Sequence, residues 1–315
     1  MMRVGHYLPA MIALSTALTP AHGQDRDTPG EHQAVQTAAG LELWSSTDSD
    51  NTDVVKVLGR ALWNFEGGDE FQGIVIERAW FRPKGQHARK QDRIYLDLAD
   101  DLAGKWLWRT RLGTDGDTVI GSATLRASDW SKELFIEREI VETPRGIDEE
   151  IYYTFVGASL DFPASERDVF NAMFGVQEFT GKNERLHVRG SYVHVIKPEI
   201  GLSAQLRGRY FHSTSPGEFD YYSPSNFVQL LPVVQMRRFD GDGWMYLVAL
   251  GYGAQKATGS QWQDARLGDV RIESPVLSRK LQAFGQLQYT NNSLIGGAGD
   301  YHYVMARAGL TVGFR

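Results

Sequence analysis

The chain has 315 residues, 42% of them hydrophobic, no cysteine and a formal net charge of −6. Arg3 is the only charged residue among residues 1–23, so without that segment the charge is −6 − 1 = −7. An acidic chain is poorly suited to bind nucleic-acid phosphates, and we expect no nucleic-acid partner. The lack of cysteine excludes disulfides, thiolate metal sites and the cysteine that carries a lipoprotein anchor.

Residues 1–23 have the layout of a secretory signal peptide. Arg3 gives a positive start, residues 7–18 are apolar, and Ala21 and Gly23 place small residues at the cleavage positions. The apolar stretch is shorter than the about 20 residues that a membrane-spanning helix needs. We therefore predict export rather than the alternative, a buried N-terminal helix of a cytosolic protein. Residues 24–35 are predicted to be a flexible lead-in and residues 36–315 an outer-membrane barrel.

Alternating residue character is the dominant pattern of the rest of the chain. Near the C-terminus, Val304, Leu310 and Phe314 share one face of a strand, and Arg307 and Thr311 share the other. Such segments run for about 10–14 residues, which is the length of strands that cross a bilayer at a tilt and is longer than most strands of soluble proteins. The pattern predicts an all-β fold, a transmembrane antiparallel β-barrel of about 16 strands within a range of about 14–18. Further segments with this alternation are 200–210, 228–237, 244–253 and 281–290.

Aromatic and polar residues mark the ends of these strands. Polar stretches near 83–92, 213–226 and 256–270 predict the longer loops. Aromatic residues near strand ends predict the girdles that barrels form at the two membrane interfaces. These aromatic residues are Trp44, Trp63, Trp80, Trp106, Trp108, Tyr152, Phe162, Tyr210, Trp244 and Tyr289.

The residues that could carry chemistry give weak signals. His187 and His194 are seven apart on a strand and so lie on opposite faces, which argues against a shared metal. His212 and Ser213 form the one local base–nucleophile pair, but adjacent strand residues point to opposite faces, which keeps them out of hydrogen-bonding reach. No phosphate-binding glycine motif is present. We predict that the protein is not an enzyme and has no catalytic residue, cofactor or metal site.

Charged and amide side chains that alternate with apolar ones point to the barrel interior. A charge on the lipid face costs about 2–4 kcal/mol at the bilayer midplane, so these side chains are expected to face inward. They could form a polar path for a hydrophilic solute, or charge ladders that stiffen a plugged barrel, and the pattern alone does not choose between the two. The candidate lumen-lining residues are Glu137, Glu139, Arg207, Arg209, Gln229, Gln235, Arg237, Gln282, Gln286, Gln288 and Arg307.

Three stretches resemble the C-terminal barrel domain of exopolysaccharide export proteins, namely the outer-membrane subunit of cellulose secretion and its relatives that export poly-N-acetylglucosamine. The first is REIVET at 138–143 followed by YYTFVG at 152–157. The second is FDYYSP at 219–224, and the third is LQYTNNS at 287–293 before the terminal strand. The resemblance covers about residues 130–315. It implies a pore of about 16 strands whose aromatic and charged lumen residues guide a sugar chain.

The resemblance leads to a functional hypothesis with two alternatives. A pore that exports an exopolysaccharide across the outer membrane would contact a polysaccharide chain and outer-membrane lipid. Those relatives carry a helical-repeat region before the barrel, whereas only about a dozen residues precede the first strand here, so a periplasmic helical-repeat protein or an inner-membrane synthase is the implied partner. The alternatives are a general or small-solute porin and a barrel-wall hydrolase acting on lipid or sugar. All three hypotheses predict the outer membrane of a Gram-negative bacterium.

Overall fold

A computed structural model describes residues 37–48, 53–65, 69–83, 87–275, 281–293 and 300–314. The predicted signal peptide, 1–23, and lead-in, 24–35, lie outside these residues. Within them, sixteen strands each pair antiparallel with the next, and the last pairs with the first, so the sheet has no free edge. This confirms the predicted barrel. The strands are β1 Thr37–Asp48, β2 Asp53–Trp63, β3 Phe71–Arg82, β4 Arg89–Leu102, β5 Trp106–Thr114, β6 Val119–Ala127, β7 Lys132–Ile140, β8 Tyr152–Pro163, β9 Asp168–Phe179, β10 Glu184–Lys197, β11 Leu202–Ser213, β12 Asn226–Phe239, β13 Met245–Ala257, β14 Gln263–Glu273, β15 Leu281–Ser293 and β16 Asp300–Phe314.

The two ends of the barrel differ in their connections. Thr37 pairs with Phe314, and we call this end the termini end and the opposite one the loop end. The two longest connections between strands, 141–151 and 214–225, lie at the loop end. We call them the first and second inward loops because both carry buried residues. The first contains a short helix, α1 Pro144–Asp148, and a 3₁₀ helix, Pro198–Ile200, lies at the termini end.

The outer surface of the barrel is apolar. Along β3, buried residues alternate with exposed ones almost without interruption. Exposed positions carry large hydrophobic side chains, such as Ile76 at 62% and Leu250 at 64% exposure. Leaving this much apolar area in water would be unfavourable by about 25 cal/mol per Å². The outer face is therefore built to contact lipid hydrocarbon.

Inward-facing phenylalanine rings lie flat over glycines of the neighbouring strand. Phe135 pairs with Gly157, and Phe284 pairs with Gly309. A Cβ atom on Gly157 would lie 2.4 Å from the Phe135 ring, and one on Gly309 would lie 2.3 Å from the Phe284 ring. Glycine at these positions lets a large ring pack against the wall, which leaves room in the lumen.

Two of the predicted girdle residues point inward. Trp44 packs against the buried side chains of Val54 and Phe81, and the Lys56 Nζ atom lies 5.0 Å from the centroid of its ring. Tyr152 is 4% exposed because it packs beside the first inward loop. The girdle interpretation was therefore wrong for Trp44 and Tyr152.

The loop predictions needed correction at their borders. Arg89 and Gln263 already begin strands, so the polar stretches 83–92 and 256–270 are only partly connections. The reason is that inward-facing strand positions are polar as well, and sequence polarity does not separate them from loops. In the part of the chain that the structure describes, no helix is long and apolar enough to cross a membrane.

Candidate functional site in the barrel lumen

The structure places the predicted lumen-lining residues at inward-facing strand positions. On β15, Gln286 and Gln288 are 6% and 5% exposed, whereas Leu287 between them is 54% exposed on the outer face. The Arg307 side chain reaches the buried carboxylate of Glu42. The remaining candidates occupy alternate positions on the same side of their strands. These are Glu137, Glu139, Arg207, Arg209, Gln229, Gln235, Arg237 and Gln282.

One part of the inner wall is built from ion pairs. On β4, the Arg93 Nη1 atom lies 2.8 Å from Glu77 Oε1 and 3.1 Å from Glu139 Oε2. Asp97 Oδ2 lies 2.7 Å from Arg111 Nη2 and 3.1 Å from Arg109 Nη2. These contacts join strands β3, β4, β5 and β7 across the lumen side of the sheet.

The same pattern continues across the seam between the first and last strands. Glu42 on β1 is 3% exposed and lies between Arg60 of β2 and Arg307 of β16. A buried carboxylate needs such partners, because an unpaired charge in a low-dielectric interior is very unfavourable. We call this set of residues the paired wall: Glu42, Arg60, Glu77, Arg93, Asp97, Arg109, Arg111, Glu139 and Arg307.

The other part of the inner wall, formed by β9–β13, carries arginine and no inward carboxylate of its own. Strands β9–β13 are described in full, and their inward positions include no aspartate or glutamate. Glutamine and serine fill many of the remaining inward positions, such as Gln205, Gln235 and Ser203. We call the basic residues of β10–β12 the arginine wall: Arg185, Arg189, Arg207, Arg209 and Arg237.

The arginine wall extends along the barrel axis. Arg185 is the second residue of β10 at the loop end, and Arg237 lies near the end of β12 at the termini end. Between them, Arg189 and Arg209 are direct cross-strand partners. Arg207 lies two residues from Arg209, or about 7 Å along the strand. The result is a succession of guanidinium groups from one mouth of the barrel to the other.

Arg207 shows how these side chains are held. Its Nε and Nη2 atoms donate to Gln205 Oε1 at 2.9 and 2.8 Å, and Nη2 also lies 3.3 Å from Gln235 Oε1. These hydrogen-bond partners are neutral amides, which orient the guanidinium group, and the carboxylate of Asp269 on β14 attracts its charge. Arg93 on the paired wall, by contrast, is held by two carboxylates.

The two inward loops meet inside the loop end. Thr143 Oγ1 donates to Asp220 Oδ1 at 2.5 Å, and the Arg145 backbone N–H donates to Asp220 Oδ2 at 2.8 Å. Across the lumen, Lys56 Nζ of β2 lies 2.6 Å from Glu142 Oε1, and both side chains are almost fully buried. The first inward loop is thus tied both to the opposite wall and to the second inward loop.

Aromatic packing holds the second inward loop against the wall. The Tyr221 ring stacks on Phe179 with centroids 4.3 Å apart, and Tyr222 lies edge-on to Phe211. Arg185 Nη2 donates to the Tyr222 carbonyl at 2.8 Å. Burial raises the pKa of both tyrosine hydroxyls, so both phenols stay neutral. The loop is a fixed part of the lumen in this structure.

Two of the three stretches that carry the family resemblance come together here. Thr143 closes the first stretch, Asp220 lies in the second, and the two residues share the hydrogen bond described above. The third stretch is separate. Its Asn291 accepts from the Arg266 backbone N–H at 2.6 Å and donates to the Asp264 carbonyl, which ties β15 to β14.

The residues considered as metal ligands or as a base–nucleophile pair do not come together. His187 is fully buried in the lumen wall, whereas His194 lies on the outer face with Nδ1 2.8 Å from Asp168 Oδ1. Ser213 faces inward and accepts from Arg185 Nε, whereas His212 faces outward toward Asn226. Among the described residues, no group of three or more histidine, cysteine, aspartate or glutamate side chains could hold a metal ion.

Sequence reasoning missed most of the paired wall and two members of the arginine wall. The signal was present, because Arg93 and Asp97 alternate with exposed Ile94 and Leu96, and Arg189 lies four residues from Arg185 on one face of β10. What the sequence did not show is which carboxylate each arginine contacts, since the pairs join residues up to 265 positions apart.

Comparison with known proteins finds similarity in fold. No family model and no curated protein matches the sequence. A solved structure described as a bacterial polysaccharide outer membrane secretin aligns with a TM-score of 0.64 and 12% identity, over 88% of this chain and 98% of that chain. The outer membrane protein OprD from Pseudomonas aeruginosa aligns with a TM-score of 0.44 and 8% identity, over 89% and 94% of the two chains. A KdgM porin in complex with disordered oligogalacturonate aligns with a TM-score of 0.37 and 8% identity, over 88% and 99%.

The fold and the outer surface together assign the chain to a structural class. Sixteen is an even strand number, as in other bacterial outer-membrane barrels, and the exposed outer residues are large hydrophobics. The inner wall carries many polar and charged side chains together with apolar clusters. The chain is a porin-like β-barrel of the Gram-negative outer membrane.

Proposed function

We propose that this barrel is an outer-membrane pore that exports an exopolysaccharide. The observation that carries the proposal is the hydrophilic track of the arginine wall, which runs from Arg185 at the loop end to Arg237 at the termini end. A sugar chain needs hydrogen-bonding groups along its whole path, because the water it loses on entering the pore must be replaced. Two of the three stretches that resemble exopolysaccharide exporters meet at the inward loops at one mouth of this track.

The proposal includes transport without catalysis. Ser213 faces the lumen and His212 faces away from it, so the local serine–histidine pair is not arranged for proton transfer between its members. We also propose that a periplasmic helical-repeat protein or an inner-membrane synthase delivers the chain to the termini end. The polymer and outer-membrane lipid are the other proposed partners.

A general or small-solute porin is the second candidate, and one observation favours it. A sugar exporter benefits from open aromatic faces, but several inward rings are covered by guanidinium groups. Arg109 lies over Phe71, and Arg307 lies over Phe284 at 4.9 Å. Small solutes need no stacking surface, and the charged wall suits them equally well.

A clean deletion strain tests the proposal. If the barrel exports polymer, deletion will remove polysaccharide from the medium or trap it in the periplasm, and the full-length gene will restore export. Complementation with Arg238→Gln is the matched control, because Arg238 is exposed on the outer face of β12. Unchanged extracellular polysaccharide would overturn the export proposal. In that case, single-channel conductance of the purified protein that stays open to small ions would support the porin.

A further inference from the structure

We infer that the two inward loops form a gate at the loop end of the barrel, in which the first inward loop moves and the second stays fixed. This gate presupposes the proposed pore, whether the pore passes a polymer or small solutes, and gives it a closed and an open state. The arrangement in this structure, with both loops inside the barrel and in contact with each other, is the closed state.

Together the two loops bridge the whole mouth of the barrel. Lys56 of β2 contacts Glu142 of the first inward loop, and Arg185 of β10 donates to the Tyr222 carbonyl of the second. Asp220 joins the two loops to each other. In the closed ring of sixteen strands, β2 and β10 are eight strands apart and so lie on opposite sides. The chain of contacts therefore crosses the full width of the loop end.

The first inward loop is built to move as one piece. Within it, the Ile147 N–H donates to the Thr143 carbonyl at 3.0 Å, and Thr143 Oγ1 accepts from the Gly146 N–H at 3.0 Å. The Ile151 N–H donates to the Gly146 carbonyl at 2.8 Å. Both ends of the loop meet where the Val141 N–H donates to the Ile151 carbonyl at 2.8 Å. Rotation about this junction displaces the loop and keeps its internal hydrogen bonds.

The contacts between this loop and the wall of β2–β4 are suited to reversible opening. Lys56 and Glu142 are buried together, and two charges that separate into a water-filled mouth regain the hydration they lost on burial. Asp148 pairs with Arg89 of β4 at 2.8 Å, but both side chains are exposed, and exposed pairs contribute little. Ile147 adds an apolar contact and is only partly buried there. The closed and open positions of the loop are therefore close in free energy.

The second inward loop has stronger anchors. The Glu218 carboxylate accepts from the backbone N–H of Lys182 at 2.8 Å and from that of Asn183 at 2.9 Å, in the turn between β9 and β10. Asn183 Nδ2 also donates to the Tyr221 hydroxyl at 3.0 Å, and the Tyr221 ring stacks on Phe179. Departure of this loop from the lumen would break these hydrogen bonds and expose the rings to water. The first inward loop is thus the part that opens.

Cross-linking of the full chain tests which loop moves, and the lack of native cysteine leaves only the introduced thiols to react. Arg89→Cys with Asp148→Cys places one thiol on the first inward loop and one on its wall. Lys182→Cys with Ser215→Cys is the matched pair for the second inward loop, where Ser215 Oγ lies 3.5 Å from the Lys182 carbonyl oxygen. A short bis-thiosulfonate reagent, which reduction removes, joins each pair, and mass spectrometry confirms the link.

Single-channel recording in planar bilayers compares the linked and reduced forms. Linking residues 89 and 148 should lower the open probability about tenfold or more, because the link removes the open state from the equilibrium, and reduction should restore it. Linking residues 182 and 215 should leave the open probability unchanged, because that loop keeps its place in both states. Glu142→Gln without any link should raise the open probability.

Three results would overturn the gate. One is equal open probability in the linked and reduced forms of the first cysteine pair. Another is closure of the channel by the second pair to the same extent as by the first. The third is a protein that never conducts, even as Glu142→Gln, since movement of the first inward loop then does not open the barrel.

Failure of the gate and failure of the proposed export give different results. Polymer export that is lost on deletion of the gene, combined with a conductance that neither link changes, removes the gate and leaves the export pore. Closure by the link between residues 89 and 148, in a protein whose deletion leaves export unchanged, removes polysaccharide export and leaves a gated porin.

Discussion

Arg93 on the paired wall lies between the carboxylates of Glu77 and Glu139, whereas Arg189 on the arginine wall lies opposite another arginine. Both side chains are almost fully buried, and both belong to inward strand positions. Because their surroundings differ, their contributions to the stability of the barrel must differ as well. A buried ion pair is maintained because removing one partner leaves the other charge buried and uncompensated. Arginines placed opposite each other repel one another, and Arg209 is instead stacked on the rings of Phe211 and Phe227.

The two walls of the lumen are expected to have different roles, one in stability and one in binding. Ion pairs on the paired wall link β1, β2 and β16 and so help to hold the first and last strands together. The arginine wall places five arginines on β10–β12, where amide, carbonyl and aromatic groups contact them. We therefore expect substitutions on the paired wall to affect stability, and those on the arginine wall to affect binding.

The largest effect is expected at Arg93. Replacing Arg93 with methionine leaves Glu77 and Glu139 buried without their cation, which should lower the free energy of unfolding by about 3–5 kcal/mol. Urea unfolding in micelles, followed by tryptophan fluorescence, measures this loss. Arg78→Met is the control, because its pair with Asp92 is exposed on the outer face and should contribute about 0–1 kcal/mol.

A rescue variant sharpens this test. Adding Glu77→Gln and Glu139→Gln to Arg93→Met removes the uncompensated charges, so most of the lost stability should return. If the triple variant stays as unstable as Arg93→Met, then packing rather than charge makes Arg93 important, and the distinction between the two walls weakens.

The next effect in size is expected at the bridge between Lys56 and Glu142. Glu142→Gln removes a charged contact of 2.6 Å between the first inward loop and the opposite wall. Removing one partner of a buried ion pair is destabilising, so the loop should leave the lumen more often. Faster trypsin cleavage after Arg145 and a higher single-channel conductance are the expected readouts.

The same loop offers a matched control for that prediction. Glu149 pairs with Arg145 inside the loop and does not reach the opposite wall, and both side chains are exposed. Glu149→Gln should therefore leave cleavage and conductance close to the wild-type values. Equal responses of the two variants would show that the bridge to Lys56 does not hold the loop.

Much of this architecture follows from local pattern, and the limits have physical causes. Alternation along β11, β12, β15 and β16 predicts the barrel and its faces, because lipid requires apolar side chains on one side only. Trp44 could have been placed inward on the same grounds, since it shares a face with Glu42. Tyr152 could not, because its surroundings come from a loop that folds back into the barrel. No local pattern distinguishes such a loop from one that extends into solvent.

The charge partners were beyond sequence reasoning for a related reason. Glu42 meets Arg307 because the sheet closes on itself, and the contact depends on barrel registration rather than on nearby residues. The candidates Arg207, Arg209 and Arg237 could be named from alternation. That the inward positions of β9–β13 carry no carboxylate became visible only when the faces of these strands were assigned.

A smaller effect is expected at Asp220, where the two inward loops meet. Its two carboxylate oxygens accept from Thr143 Oγ1 and from the Arg145 backbone N–H. Asp220→Asn keeps one acceptor, so the loss should be about 0.5–1.5 kcal/mol. Hydrogen exchange should show faster exchange of the Arg145 amide. Asp240→Asn, in a turn at the termini end, is the control and should leave this amide unchanged.

The smallest change in stability is expected at Arg209. Arg209→Gln removes the repulsion from Arg189, which is worth about 0.2–1 kcal/mol, and also removes stacking on Phe211 and Phe227 of about 0.5–1 kcal/mol. The two effects oppose each other, so the free energy of unfolding should change by less than about 1 kcal/mol. The same urea experiment that detects the loss at Arg93 should show almost none here. A loss above about 3 kcal/mol would mean that Arg209 is held as firmly as Arg93, and the arginine wall would then be structural rather than a track for a ligand.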